Sequence, residues 1–87
     1  MKVLYHKKFN KNFRKRFGSN EAFCKRYEQR LALFRIDPQN PILKNHPLIG
    51  EKSGLYAFSI TGDIRIVYYL EGETAYLLDI GTHNQVY

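Results

Sequence analysis

Past Lys52 the chain carries a single basic residue, Arg65, and over its whole length a single cysteine, Cys24. One cysteine excludes an internal disulfide, and with no CxxC or Cys/His pattern there is no zinc-finger framework either. Cys24 reads as a small helix-packing residue and not as a nucleophile, since a free thiol in a reducing compartment needs no special role. No apolar run is long enough to cross a membrane and no signal-peptide pattern is visible, so the sequence reads as soluble and cytoplasmic, with no membrane partner. Repeats, low-complexity tracts and linkers are also missing, and 87 residues make one domain, residues 1–87. A chain of this size buries only about 60–65% of its unfolded surface, which demands a compact core. The supply is adequate: 44% of residues are hydrophobic, with seven Tyr and six Phe.

What the second part lacks in cations, the first has in excess. Residues 1–52 hold thirteen Lys/Arg against four Asp/Glu, a net +9, whereas residues 53–87 hold one Arg against four acids, a net −3. A charge divided this way points to a polyanion or an acidic protein on the basic side. Solubility alone is the plainer account of basic helices, but it fits interspersed charges better than a lopsided distribution.

The periodicity changes once along the chain. "KVLYH" (2–6) has the β-branched and aromatic content of a short strand. Phe9, Phe13 and Phe17 then recur every four residues among Lys, Arg and Asn, one apolar stripe on a basic helix that Gly18 ends. Ser19 or Asn20 caps a second helix, with Glu21 in its first turn and Phe23, Tyr27, Leu31 and Phe34 on its apolar face. "DPQNP" (37–41) stops it. Three apolar runs, 55–61, 64–70 and 74–80, are joined by connections so short that they must run antiparallel. The expectation is an α+β fold, β-α-α-β-β-β, with both helices on one face of the sheet. Between helices and meander lies "ILKNHPLIGEKSG" (42–54), without period, the kind of loop in which function concentrates.

Strand alternation sorts the meander into two faces. Tyr56, Phe58, Ile60, Ile64, Ile66, Tyr68 and Leu70 would face the helices, leaving Ala57, Ser59, Thr61, Asp63, Arg65, Val67 and Tyr69 on the outside. Two readings fit Arg65: a surface pair with Asp63 of little energetic value, or an anion-binding guanidinium in a groove. His46 in "KNHPL" and His83 in "GTHNQVY" sit beside residues that constrain the backbone, Pro47 and Gly81. Imidazoles are suited to proton transfer near neutral pH. Two of them, with a carboxylate and an arginine, could cleave RNA without metal: a base takes the 2′-OH proton, the oxygen attacks phosphorus, and an acid protonates the leaving 5′-oxygen. Arg65 and nearby lysines would offset the charge growing on the phosphoryl oxygens. His6, at the start of the first helix, reads as structural.

These features together resemble the RelE/ParE superfamily of bacterial toxin–antitoxin modules, most closely its YafQ-like branch. The resemblance spans nearly the whole chain: the element order, the "HPLIG" loop, the "GDIRIVYYL" strand and the closing "GTHNQVY". Carried over position by position, it implies catalytic roles for His46, Asp63, His83 and Tyr87, and a phosphate contact for Arg65, which matches an arginine of RelE-like members. One departure stands out. YafQ-like proteins commonly place a further histidine on the first meander strand, in a run like "R.FHI", where this chain has "YAFSI", with Ser59 for the histidine and Tyr56 for the arginine. Serine can hydrogen-bond but cannot act as a base at neutral pH. The resemblance then implies that His46 and His83 suffice with Asp63 assisting, or that activity is reduced.

By the same resemblance the chain is an mRNA endoribonuclease toxin, metal-independent and ribosome-dependent, needing no cofactor and silenced by an acidic antitoxin. The cations expected to grip ribosomal RNA are Lys7, Lys8, Lys11, Arg14, Lys15 and Arg16, with Lys44 and Lys52 nearer the cut. Tyr87 could stack on an unstacked base, a contact worth about 1–3 kcal/mol, or simply cover the edge of the core. Three alternatives remain: a ParE-like toxin that binds DNA gyrase without catalysis, a weak homologue that only binds antitoxin, and a metal held by His46, Asp63 and His83.

Overall fold

A computed structural model describes residues 1–87. The chain runs β1 (Lys2–Tyr5), α1 (Lys7–Phe17), α2 (Glu21–Ile36), β2 (His46–Pro47), β3 (Tyr56–Ser59), β4 (Ile64–Glu71), β5 (Thr74–Thr82) and α3 (His83–Val86), with 3₁₀ turns at Pro41–Leu43 and Gly50–Lys52. One five-stranded sheet has the order β1-β5-β4-β3-β2. The meander β3-β4-β5 is antiparallel as expected, and β1 joins its far edge parallel to β5, Lys2 opposite Thr74.

Local chemistry explains the helix ends. His6 caps α1, its Nδ1 accepting the Lys8 N–H at 3.1 Å, and Asn20 caps α2, its Oδ1 accepting the Phe23 N–H at 3.0 Å. Each cap satisfies one of the four donors a helix start leaves open. The two apolar stripes meet in an aromatic seam: Phe13 packs on Tyr27 with ring centroids 4.6 Å apart, and Phe17 stacks on Phe23 at 4.2 Å. Cys24 is half-buried there, Sγ 3.6 Å from the Phe17 carbonyl, the packing role expected of it. Beneath the seam Phe9, Phe34, Phe58, Ile66, Leu77 and Ile80 form the main core, and Phe34 stacks on Phe58 at 4.1 Å. Each such side chain contributes about 1.5–3 kcal/mol by leaving water.

Four expectations need correction. Leu70 is exposed, because β4 outruns the helices that cover its start. A two-residue strand, β2, pairs His46 with Ala57 and Pro47 with Tyr56, so the loop 42–54 is anchored to the sheet edge. Gly81, read as a backbone-constraining residue, does not break the strand: β5 continues through Thr82 and "HNQV" is a helical turn, α3. Finally, the outer sheet face is not an open polar groove. Ala57 and Val67 pair there and are buried with Val86 of α3, while Leu48 and Leu55 pack beside them. A second small core therefore fixes α3 and the loop against the back of the sheet.

Burial raises the Tyr27 phenol well above its ordinary range, reinforced by the Tyr5 phenol, and burial raises Tyr68 as well. Unfolded phenols lose their proton near about pH 10, whereas these keep theirs, so their contribution to stability is whole below that pH and is lost as pH rises through the folded values. The melting temperature should hold level to about pH 9 and fall above about pH 10. Tyr27→Phe should remove part of that fall, and thermal melts at stepped pH check it.

Candidate active site

The loop between α2 and β3 is held by one asparagine. Asn45 Oδ1 accepts the Tyr68 hydroxyl at 2.8 Å and its Nδ2 donates to the Pro38 carbonyl at 3.0 Å. Lys44 just before it sits in the left-handed region, φ 50°, ending the 3₁₀ turn. This kink delivers His46 to β2. The His46 Nδ1 lies 2.8 Å from the Lys44 carbonyl. A carbonyl only accepts, so that contact puts the proton on Nδ1 and leaves the Nε2 lone pair of a neutral ring free as a base.

The other imidazole comes from the far end of the chain. Thr82 leads from β5 into α3, its N–H donating to Gln85 Oε1 at 2.8 Å, which places His83 at the first helical position. His83 meets Tyr87 edge-to-face with ring centroids 4.4 Å apart. Gly81 leaves room beside β5 for the ends of the Gln85 and Arg16 side chains, which a Cβ there would meet at 2.5 Å from Gln85 Oε1 and 2.9 Å from Arg16 Nη1.

Both imidazoles line one open cavity of about 530 Å³, together with Pro47, Leu48, Ile49, Glu51, Lys52 and Tyr87. His46 and His83, thirty-seven positions apart in sequence, thus share a cleft with a lysine and a carboxylate. Arg65 is half-buried on β4 opposite Gly81, and its positive charge acts on the Tyr87 phenol, opposing the burial that raises it. Arg65 is not among the residues that line the cavity.

Asp63 is not brought in. It is exposed on the β3–β4 loop and does not line the cavity; its backbone N–H donates to Thr61 Oγ1 at 3.2 Å. No group of three His, Cys, Asp or Glu side chains converges anywhere in the fold, so His46, Asp63 and His83 do not form a metal site. The carboxylate in the cleft is Glu51, which the sequence reading passed over although it lies in the same loop as His46. Ser59 lines a different cavity with Lys44, so the serine standing for a histidine is not a wall residue of the His46–His83 cleft.

Of the cations assigned to RNA, Lys52 lines the cleft, while Lys7, Lys8, Lys11, Arg14 and Lys15 are exposed on α1. Arg16 has a structural task. Its Nη1 donates to the Ile80 carbonyl at 2.8 Å and to Asp79 Oδ1 at 3.3 Å. Asp79 Oδ1 also accepts from Asn12 Nδ2 at 2.7 Å and from the Ile80 N–H at 2.8 Å, and Lys8 Nζ lies 3.7 Å from Oδ2. This network ties α1 to β5 four residues before His83.

No protein-family model and no curated protein sequence matches the chain. Solved structures do. A metal-bound toxin from Helicobacter pylori is 23% identical over 100% of this chain and 99% of that one, with a TM-score of 0.80. YafQ from E. coli strain BL21(DE3) is 17% identical, covering 98% of this chain and 96% of its own, at a TM-score of 0.77. The fold is that of the RelE/YafQ-like toxins. YafQ in the E. coli DinJ-YafQ toxin–antitoxin complex also superposes, at 21% identity over 98% of this chain and 94% of that one, TM-score 0.69. Within a RelE/YafQ-like fold, the cleft lies where the loop before the meander and the segment after its last strand come together.

Proposed function

We propose that this chain is the toxin of a toxin–antitoxin pair and cleaves mRNA, on the ribosome, without a metal. The observation that carries the proposal is the shared cleft of His46 and His83, with Lys52 in its wall and the Arg65 charge acting on Tyr87, which also lines it. His46 Nε2 takes the proton of the ribose 2′-OH, and the 2′-oxygen forms a bond to phosphorus as the bond from phosphorus to the 5′-oxygen breaks. His83, protonated, gives its proton to that 5′-oxygen, leaving a 2′,3′-cyclic phosphate and a 5′-hydroxyl. Lys52 and Arg65 stabilise the phosphoryl oxygens as charge builds. Tyr87 stacks a base at the mouth, and Glu51 supplies the one carboxylate of the cleft wall. Asp63, in this arrangement, acts on the substrate strand outside the cleft.

Cytoplasmic mRNA and ribosomal RNA are the partners such chemistry requires, and the exposed cations of α1 supply the phosphate contacts. The DinJ-YafQ complex supports an antitoxin as protein partner, an acidic one given the net +9 of residues 1–52. No helix here is long and apolar enough to cross a membrane. Mapping mRNA 5′ ends after induction tests the reading: cuts should appear in frame at fixed codon positions and carry 5′-hydroxyl ends. Intact transcripts with altered DNA supercoiling would replace it with the gyrase-binding alternative.

A further inference from the structure

A second cavity, about 190 Å³, opens between α2 and the β3–β4 loop and shares no residue with the histidine cleft. Arg26, Arg30 and Lys44 line it with Ser59, Ile60, Thr61, Gly62 and Ile42. Arg26 and Arg30 stand four apart on α2, so both guanidinia rise from one helix face. Lys44 reaches the same space from its left-handed turn. None of the three has a carboxylate within salt-bridge distance, since the ion pairs of the molecule all end on Asp79. No acidic side chain lines the cavity either. Three like charges gathered without a counter-charge cost free energy that an anion would return.

We propose that this cavity seats a backbone phosphate of the RNA strand, one next to the phosphate that is cut. The inference rests on the ribonuclease reading and adds Arg26 and Arg30 to the residues that hold substrate. Lys44 faces the cavity and His46 the cleft, and two residues span at most about 7 Å of backbone. A strand passing round the sheet edge at Asn45 can therefore enter both. A guanidinium matches phosphate geometry with paired N–H donors, and the hydroxyls of Ser59 and Thr61 add donors at the wall.

The test uses a 2′-O-methyl RNA hexamer, which cannot be cleaved, bound to the full chain over a series of salt concentrations. Arg26→Gln/Arg30→Gln should weaken binding about tenfold at low salt and lower the slope of log K against log salt by about 0.7, one single-strand phosphate. Glutamine keeps the helix propensity of arginine, and an unchanged melting temperature confirms the fold. Gln29→Ala, exposed on the same helix and carrying no charge, should leave the slope alone. A slope unchanged in the double variant overturns the proposal, and if binding of a decaglutamate peptide falls instead, the cavity serves a protein carboxylate. Failure of the wild-type chain to bind the hexamer at low salt would sink the ribonuclease reading itself, a separate result.

Discussion

His83→Ala is expected to restore growth to cells that express this chain alone and to slow single-turnover RNA cleavage by about 10²–10⁴-fold, the usual worth of a positioned general acid. The side chain is exposed on α3, and its recorded ring contact is the one to Tyr87 at 4.4 Å. Losing that contact costs about 0.5–1.5 kcal/mol, too little to unfold the domain. Growth inhibition and fold are therefore separable: the variant should melt within a few degrees of wild type while arrest disappears. His46→Ala should be as inactive but differ in pH profile. With His46 as base and His83 as acid, residual activity should lose its alkaline limb in His83→Ala and its acidic limb in His46→Ala. Undiminished toxicity of a folded His83→Ala chain would remove the imidazole from the mechanism.

Asp79→Ala should be the most damaging change outside the cleft. The carboxylate side chain is 9% exposed and takes Asn12, Arg16 and the Ile80 N–H. Removing it leaves a buried amide without its acceptor, at about 1–3 kcal/mol, and a guanidinium without its counter-charge. Arg16 is 24% exposed, so water recovers part of the second loss, and the exposed Lys8 adds little. A total near 3 kcal/mol is expected, with a fall in melting temperature of roughly 12–24 °C at this chain length. Asp79→Asn, which keeps an acceptor for Asn12 and Ile80, should fall less far. A melting temperature within about 3 °C of wild type for the alanine variant would show the network contributes nothing net.

The strand and helix order was legible because its signals are local. Phe9, Phe13 and Phe17 declare a helix by spacing alone, and Asn20 with Glu21 declares the next start. What sequence could not give was contact across distance. β2 is two residues long and exists only because Ala57 and Tyr56 are there to pair with it. α3 is a single turn, too short for periodicity, and is fixed by Val86 seated on Ala57 and Val67. Within the site, the two histidines and Tyr87 were readable from the resemblance, whereas Glu51 had no motif to mark it. Asp63 shows the converse: a motif position names a neighbour in sequence, and the loop here carries it outside the cavity that holds the histidines. Arg16 looked like any other cation of α1 because its partner, Asp79, lies sixty-three residues on.

The pairing of β1 with β5 has a consequence for synthesis. Lys2 finds Thr74, and Tyr5 finds Leu77, so β1 has no strand neighbour until β5 has been translated. Contacts so remote in sequence form late and slowly. A nascent chain released before residue 82 would carry His46 but neither His83 nor the completed sheet, and so would lack the shared cleft.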